Sequence, residues 1–440
     1  MDHFNYKNNL LHCENTPVEK IAQEFGTPTY LYSAQTFRDH FNRLQQAFAP
    51  ANPLICYAMK SCSNIAILKL LASLGAGMDV VSGGELHRAR IAQVPGSKIV
   101  FAGVGKTDRE IREAMLYQSS PTQKKGIRLF NIESEAEFEN IANIARALGK
   151  PCNATLRINP DVDPHTHKYT TTGTKETKFG VDLTRARQFF TKYGNNDNCK
   201  LNALHLHIGS PVYSTKPYIE ALSRALQLVD NLKQDGFIIN TINLGGGFAA
   251  DYESKQSPPA KDYAKALLPL IQDRINRGEL NIILEPGRTI AANAGILLTR
   301  VQYVKHSGCK RFIIVDAGMH TLIRPALYGS FHFIWPTSVA PHHIPNERKE
   351  KMTMNGLDQV DIVGPICESG DFLAQDRKIP PLARGDLIAV FSAGAYGSVM
   401  ASRYNSSPLP AEVLVDDNQI KLIRKRETYQ DLIQHEQTCK

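Results

Sequence analysis

The 440-residue sequence lacks several features that mark particular classes of protein. Its first residues, 1–7, are polar and contain no apolar core of the kind that a signal peptide needs. No apolar run approaches the length that spans a membrane. The cysteines include no C-x-x-C pair, so neither a zinc site nor a disulfide framework is indicated. These absences favour a reducing, cytoplasmic compartment.

The sequence also lacks a long block of basic residues, although its formal net charge is +8. The longest basic cluster, residues 421–426, is short and interrupted by apolar residues, whereas a nucleic-acid-binding tail would be longer. A mild positive balance suits a cofactor phosphate and an acidic substrate. We therefore expect a small-molecule substrate, and neither a nucleic acid nor a membrane as partner.

Short β-prone runs alternate with amphipathic stretches over the first two thirds of the chain. Two of these stretches, 64–74 and 134–148, have clear helical periodicity, and the second begins with a capping box from Ser134 to Glu137. Eight alternations predict a (β/α)8 barrel, with a doubly wound open sheet as the alternative. The predicted strands are 54–60, 78–82, 98–103, 128–133, 154–159, 203–209, 242–247 and 282–288.

After about residue 294 the alternation ends, and strand-like runs follow one another without regular helices. This pattern predicts a mostly antiparallel β domain, to which the strand-like run 29–32 would add. We therefore expect a barrel at residues 34–294 and a β-rich domain made of 1–33 and 295–440. The long polar connection 160–182 is typical of an active-site loop.

Lys60 stands at the end of the first apolar, β-prone run. A lysine at the end of a buried strand is unfavourable unless its amine is neutralised or paired. One chemistry uses such an amine, namely Schiff-base formation with a carbonyl, including the aldehyde of pyridoxal phosphate. The alternative is a strand-end lysine whose amine extends to water.

Polar groups also end the last two predicted strands. The triplet 245–247 could let backbone N–H groups approach a phosphate closely, although a tight turn after the strand would also explain these glycines. Glu285 could hydrogen-bond a pyridine nitrogen and keep it protonated, or it could form an ion pair with Arg288. The planar guanidinium of Arg288 suits a carboxylate or a phosphate.

Two histidines share one face of the sixth predicted strand. His207 could stack on a cofactor ring, whereas His205 has the alternative of a hydrogen-bonded core histidine. The same spacing fits a metal pair, as does that of His165 and His167. Because no carboxylate or cysteine set accompanies either pair, we expect no metal site.

Two segments of the predicted β domain contain reactive groups. In 364–371, Cys367 and Glu368 lie beside two glycines and a proline, as in a functional loop, although a buried cysteine and a surface glutamate would be ordinary. In 394–397, Tyr396 could donate a hydrogen bond to a phosphate. Its alternative is a core aromatic residue with one satisfied hydroxyl.

Taken together, these segments resemble the fold-type III pyridoxal phosphate decarboxylases, and specifically the diaminopimelate decarboxylase family. The matching stretches extend from Tyr57 to Leu414 and so cover nearly the whole chain. The resemblance implies an alanine racemase-like fold, with a pyridoxal phosphate-binding (β/α)8 barrel and a mostly antiparallel β domain. The most specific matches are residues 177–180, 207–210, 285–288, 324–328 and 367–371.

The resemblance also implies roles for individual residues. Lys60 would carry the cofactor, and Cys367, mostly a thiol at neutral pH, would donate a proton to the carbanion left by decarboxylation. In this family the cysteine reaches across a dimer interface, which implies a homodimer with shared active sites. The implied cofactor-binding residues are Lys60, His207, Ser210, Gly245, Gly246, Gly247, Glu285, Gly287, Arg288 and Tyr396. The implied substrate-binding residues are Arg288, Arg324, Tyr328, Glu368 and Tyr396.

The implied reaction is decarboxylation of meso-2,6-diaminopimelate to L-lysine and CO2, the last step of lysine biosynthesis. Ornithine and arginine decarboxylases share the fold, but their substrates have one carboxylate, which leaves, and need no distal cations such as Arg288 and Arg324. Alanine racemase pairs the pyridine nitrogen with arginine rather than with a glutamate such as Glu285. A non-catalytic pyridoxal phosphate-binding protein would lack the β domain.

The chain departs from the family pattern at three places. Residues 61–63 follow the lysine where many relatives have alanine, and Pro211 replaces the usual glutamine. A polar insert, 118–125, precedes the fourth predicted strand. None of these departures removes a catalytic group.

Overall fold

The structure is a computed structural model that describes residues 2–163 and 178–437. The chain divides into two compact units. The first comprises His40–Ala249 and Ser257–Arg288, and the second comprises Met1–Asp39, Ala250–Gln256 and Thr289–Lys440. His165, His167 and Thr177, which the sequence analysis singled out, lie outside the described residues, as does most of the polar loop 160–182.

Parallel strands close into a barrel in the first unit. Each strand pairs with the next, and the last pairs with the first through Ile283 beside Leu54 and Leu284 beside Ile55. The predicted (β/α)8 barrel is therefore confirmed, and the open-sheet alternative is wrong. The barrel strands are β1 (Leu54–Ala58), β2 (Gly77–Val80), β3 (Ile99–Phe101), β4 (Leu129–Ile132), β5 (Cys152–Asn159), β6 (Cys199–Leu206), β7 (Thr241–Asn243) and β8 (Asn281–Leu284).

A helix follows each of the first seven barrel strands. Asn64 caps the first of these helices, and Ser134 caps the fourth through its hydroxyl. The predicted capping box is only half formed, because the Glu137 side chain accepts from Lys106 and from the backbone N–H of Glu133 instead. The seven helices are Ile65–Ser73, Gly83–Ile91, Asp108–Met115, Glu135–Leu148, Leu183–Tyr193, Lys216–Gln234 and Ala260–Asn276.

Apolar side chains fill the middle of the barrel. Cys56, Val100, Leu129 and Ile283, from four different strands, form one buried cluster. Such packed layers make the barrel interior a core rather than a pore, so polar chemistry is confined to the strand ends.

The second unit is built around the long strand Gly295–Ser307. This strand pairs in antiparallel fashion with Thr29–Ser33, Lys310–Val315 and Leu387–Val390. Two other pairings are parallel, so the prediction of a mostly antiparallel β domain is confirmed. The remaining strands of this sheet system are Ile334–Pro336, Asp358–Val363, Phe372–Ile379, Ala411–Asp416 and Gln419–Arg424.

The amino-terminal residues form a small sheet that the sequence analysis did not predict. Its strands, Phe4–Lys7, Leu10–Cys13 and Thr16–Pro17, pair in antiparallel fashion and are followed by the helix Val18–Phe25. Two short helices, Arg324–Tyr328 and Tyr429–Ile433, lie later in the unit. Within 2–163 and 178–437, no helix combines the length and apolar character needed to cross a membrane.

Candidate active site

Lys60 lies just beyond the end of the first barrel strand. The strand ends at Ala58, and Met59–Ser61 forms one 3₁₀ turn that carries the lysine, so the predicted strand 54–60 is two residues too long. The Nζ atom lies 2.7 Å from Oδ2 of Asp79, which is fully buried on β2. The amine is therefore paired, and it is held at the carboxyl end of the barrel, where barrel enzymes place their chemistry.

Asp79 is a site residue that the sequence analysis missed. Burial raises its pKa to about 7, although the charge of Lys60 opposes that rise. Its second oxygen, Oδ1, is buried without a hydrogen-bond partner among the described residues. The sequence signal that could have identified Asp79 is a lone carboxylate inside the apolar run 77–81. Because burial raises its pKa, such a carboxylate can exchange its proton near neutral pH.

Glu285 directly follows β8 and is buried. Its Oε1 accepts hydrogen bonds from the side-chain amides of Asn131 (2.9 Å) and Asn243 (2.5 Å), and its Oε2 lies 3.1 Å from Nε2 of His205. Burial would raise the pKa of Glu285, but His205, Lys60 and these hydrogen bonds together hold that pKa well below its ordinary value. Glu285 is therefore a permanently charged carboxylate inside the barrel.

These contacts bear on two alternatives that the sequence left open. Glu285 is held by two asparagines and a histidine rather than by Arg288, so the ion-pair interpretation does not account for its position. His205 is buried beside this glutamate. Within the described ranges, no group of three histidine, cysteine or acidic side chains has the arrangement of a metal site.

His207 follows the end of β6. Its Nδ1 accepts a hydrogen bond from the backbone N–H of Gly246 at 3.2 Å. Burial, with the nearby charges of Arg157 and Lys60, lowers the pKa of His207 well below its ordinary value. The imidazole is therefore neutral, which suits a ring that stacks on another aromatic ring.

The triplet Gly245–Gly247 is required by its immediate neighbours. A Cβ on Gly245 would lie 2.1 Å from the carbonyl oxygen of Leu206, and one on Gly246 would lie 2.3 Å from that of Glu285. Gly245 and Gly247 also have positive φ values of 64° and 95°. Close backbone packing alone thus demands these glycines, and their contact with a phosphate stays a prediction.

Gly287, Arg288 and Ser210 bring the ends of three strands together. A Cβ on Gly287 would lie 3.0 Å from the Cβ of Ala58 and 3.2 Å from that of Ser61, so a larger residue would crowd the segment that follows β1. Arg288 is buried, and its Nε donates to Oγ of Ser210 at 3.0 Å. The guanidinium is thus fixed at the carboxyl end of the barrel.

Two residues near the carboxyl end of the polar loop, Phe179 and Gly180, contact residues at the ends of β4 and β5. Arg157 forms a buried ion pair with Glu133 at 2.8 Å, and its guanidinium lies 4.6 Å from the ring centroid of Phe179. The second oxygen of Glu133 accepts from the backbone N–H of Gly180 at 2.8 Å. The sequence analysis assigned no role to Arg157 or to Glu133.

In the second unit, Arg324 is buried beside a histidine and two aromatic rings. Its Nε lies 3.4 Å from Nε2 of His332, and its guanidinium lies 5.2 Å from the ring of Tyr252 and 5.9 Å from that of Tyr328. A guanidinium held among aromatic rings suits recognition of a planar anion. The sequence analysis selected Arg324 and Tyr328 but missed Tyr252 and His332.

Cys367 and Glu368 lie on an exposed loop of the second unit. The thiol of Cys367 contacts Oδ1 of Asn405 at 3.4 Å, and the carboxylate of Glu368 accepts from the hydroxyl of Tyr404. The buried-cysteine alternative is therefore wrong. Both side chains face solvent in the single chain.

Asp371 fixes this loop at its other end. Its two carboxylate oxygens accept from the backbone N–H groups of Met319 and Ile366, each at 2.6 Å.

Tyr396, in the segment 394–397, is half-buried and has a φ of 57°, a strained conformation for a tyrosine. Such strain is often found at functional sites.

Comparison with known proteins assigns the family. The family model described as "Pyridoxal-dependent decarboxylase, pyridoxal binding domain" matches residues 34–292. A diaminopimelate decarboxylase of Aquifex aeolicus is 44% identical over 98% of this chain and 96% of its own length. That of Haemophilus influenzae is also 44% identical, over 98% of each chain. The chain belongs to the diaminopimelate decarboxylase family.

Solved structures of this family agree with the assignment. The diaminopimelate decarboxylase of M. jannaschii, in co-complex with L-lysine, is 35% identical, covers 100% of this chain and 98% of its own, and gives a TM-score of 0.90. The Helicobacter pylori enzyme, also complexed with L-lysine, is 38% identical over 95% of this chain and 98% of its own, with a TM-score of 0.85. The family resemblance drawn from the sequence is therefore confirmed, and pyridoxal phosphate is the cofactor of this family.

Proposed function

We propose that this chain decarboxylates meso-2,6-diaminopimelate to L-lysine and CO2 with pyridoxal phosphate, as the last step of lysine biosynthesis. The observation that carries the chemistry is the buried, ionised Glu285 at the same end of the barrel as the paired amine of Lys60. The choice of substrate is supported by relatives named diaminopimelate decarboxylase and by the L-lysine in two related structures.

The barrel residues fit pyridoxal phosphate. Lys60 would bind its aldehyde carbon, and Glu285 would accept a hydrogen bond from a protonated ring nitrogen, for which a carboxylate of low pKa is required. When bound, this cofactor supplies an electron sink for the electron pair left by the departing α-carboxylate. The neutral ring of His207 would stack on it. Its phosphate would be held by residues 245–247, Ser210, Gly287, Arg288 and Tyr396.

Asp79 would control the proton on Lys60. Its carboxylate holds the ammonium form of the amine, and its pKa of about 7 lets it take up that proton when the amine must react. This role follows from the 2.7 Å contact between the two side chains, together with the burial of Asp79.

The distal end of the substrate carries both a carboxylate and an ammonium group. In our proposal Arg288 and Arg324 bind the carboxylate, because a guanidinium can donate two parallel hydrogen bonds to one carboxylate. Tyr328 and Tyr396 donate further hydrogen bonds to it. Glu368 binds the ammonium group. Ornithine lacks the distal carboxylate, so it could not form these hydrogen bonds with either arginine.

The test compares two substrates with one purified enzyme. We expect meso-diaminopimelate to yield equimolar L-lysine and CO2, and ornithine to react at least about 100-fold less efficiently, since a buried cation would lose its partner. Lys60→Ala is the inactive control and should retain no borohydride-reducible cofactor. Equal turnover of ornithine would overturn the assigned roles of Arg288 and Arg324.

The proposal includes a homodimer in which Cys367 of one subunit donates the proton at the other subunit's site. Its support is the exposure of Cys367 and Glu368 in the single chain. Mixing Lys60→Ala with Cys367→Ala protein should restore up to about a quarter of wild-type activity, because random exchange gives half hybrids with one intact site each. Mixing Lys60→Ala with the Lys60→Ala/Cys367→Ala double variant should restore none. No recovery after proven subunit exchange would contradict the shared site.

Two further points belong to the same proposal. The division into a barrel of 34–294 and a β domain of 1–33 with 295–440 is supported by a family match that ends at residue 292. The cysteines of the described chain, seven in number, are free thiols, which suits the reducing cytoplasm.

A further inference from the structure

A cavity of about 870 Å³ lies at the amino ends of the strands β3, β4 and β5, opposite the end that carries Lys60 and Glu285. Its walls are the segments 95–97, 123–128 and 149–153, each of which leads into one of these strands. This volume lies within the range of small-molecule sites, about 300–1,000 Å³. The cavity is therefore large enough for a metabolite and remote from the proposed chemistry.

The charge around this cavity has one sign. Lys124, Lys125, Arg128 and Lys150 line it, and its lining includes no aspartate or glutamate. None of these four cations forms an ion pair with another residue in the part of the chain that the structure describes. Uncompensated positive charge around a cavity concentrates anions there.

The cationic wall is built on an ordered turn. The Gln118 amide donates to the carbonyl oxygens of Pro121 (2.9 Å) and Gln123 (2.8 Å). The backbone N–H of Gly126 donates to the carbonyl oxygen of Tyr117 at 2.8 Å. These bonds hold the polar insert 118–125, which departs from the family pattern, so that Lys124 and Lys125 are presented from a fixed backbone.

The turn is also locked to the neighbouring wall. The hydroxyl of Tyr117 donates to the carbonyl oxygen of Val94 at 2.7 Å, and a Cβ on Gly96 would lie 2.1 Å from the carbonyl oxygen of Gly126. Only a glycine at position 96 allows this approach of the two walls. The cavity is thus closed on this side by backbone contacts rather than by mobile side chains.

We propose that this cavity binds a small organic polyanion, a molecule with two or more carboxylate or phosphate groups, and that the insert 118–125 is its binding element. The guanidinium of Arg128 can contact one anionic group in two places, and the three lysines act as point charges for the others. Met115, Ile127 and Phe130 also line the cavity, and the partly exposed Ile127 supplies apolar surface for the carbon skeleton.

Cys152 gives a direct readout, because this half-buried free thiol lines the cavity. The experiment measures the rate at which Cys152 is alkylated in cofactor-loaded enzyme, using peptide mass spectrometry. The rate is compared in the presence of citrate, of pyrophosphate and of acetate. A polyanion at about ten times its Kd is expected to slow alkylation of Cys152 about tenfold, since only the unbound fraction reacts. Acetate should give no protection. Comparison of citrate with pyrophosphate shows whether the cavity prefers carboxylate or phosphate groups.

A matched pair of variants assigns the binding to the insert. Lys124→Ala/Lys125→Ala should weaken protection about 2- to 30-fold, the effect of losing two exposed ion pairs. Lys261→Ala/Lys265→Ala removes the same charge from the exposed surface of Ala260–Asn276 and should change nothing. Lys150→Ala gives a second test if the first variant folds poorly. Protection by neither polyanion, or equal protection in all the variants, would overturn the proposal.

Discussion

The substitution Glu285→Gln separates the charge of this residue from its packing. In the wild type, Oε1 accepts from Asn131 and Asn243, and Oε2 is paired with Nε2 of His205. A glutamine of the same shape can keep its oxygen at the Oε1 position, so both asparagine contacts survive. Its NH2 group then faces His205, whose Nε2 must become an acceptor.

The cost of this change can be worked out from His205. When Nε2 accepts, the ring proton moves to Nδ1, a buried atom without a hydrogen-bond partner among the described residues. An unpaired buried donor costs about 1–3 kcal/mol, so we expect that loss in the free energy of unfolding. The fold should survive, but the group that keeps the cofactor ring protonated is gone. We expect kcat to fall about 10²- to 10³-fold, as when one group that stabilises developing charge is removed.

The assay is CO2 release from meso-diaminopimelate at saturating pyridoxal phosphate, with thermal unfolding measured on the same samples. Glu412→Gln is the matched control, because Glu412 is also buried and accepts from the hydroxyl of Tyr32 at 3.0 Å. It should lose stability but keep its kcat per folded molecule. A Glu285→Gln enzyme that kept more than about a tenth of the wild-type kcat would refute the role assigned to this charge.

Two further substitutions test the other carboxylates. Because the pKa of Asp79 is raised from 3.8 to about 7, its protonated form stabilises the fold below about pH 4, and that contribution is lost as the pH rises through 7. In urea unfolding of cofactor-free protein, Asp79→Asn should therefore gain stability relative to the wild type between these pH values, and a pH-independent difference would contradict this. Asp371→Asn should lose about 1–3 kcal/mol, since one backbone N–H loses its acceptor, and should change the alkylation rate of Cys367. Asp361→Asn is the control, because the two oxygens of Asp361 accept from the backbone N–H of Asp376 and from Lys310; it should leave that rate unchanged.

The barrel could be predicted because its strands appear in the sequence as short apolar runs, whereas its helices appear as longer stretches with apolar residues at helical spacing. The same reasoning found Lys60 and Glu285, since a charged residue that ends an apolar run is conspicuous. The amino-terminal sheet was missed because its strands, such as Phe4–Lys7 and Leu10–Cys13, are too short to show a period and have polar residues among the apolar ones.

The partners of Glu285 could not be predicted for a different reason. Asn131 lies on β4 and Asn243 lies on β7, and these two strands are not neighbours in the barrel. Both asparagines are also far from Glu285 along the chain. Their amides converge only because the barrel closes, and nothing local in the sequence distinguishes them from other asparagines. Asp79 was missed although a carboxylate inside an apolar run is a local signal, because the lysine that pairs with it, Lys60, belongs to another strand end.

Asp79 and Glu285 show how one barrel gives two buried carboxylates opposite properties. Burial favours a higher pKa for each carboxylate, and the charge of Glu285 raises the pKa of Asp79 further. Glu285 receives three hydrogen bonds and stays charged, whereas Asp79 has Lys60 and an oxygen without a partner among the described residues. Pairs of carboxylates whose pKa values are driven apart mark different roles in a mechanism. Glu285 is thus suited to hold a fixed charge on a ring nitrogen, and Asp79 to exchange a proton with the lysine that must react.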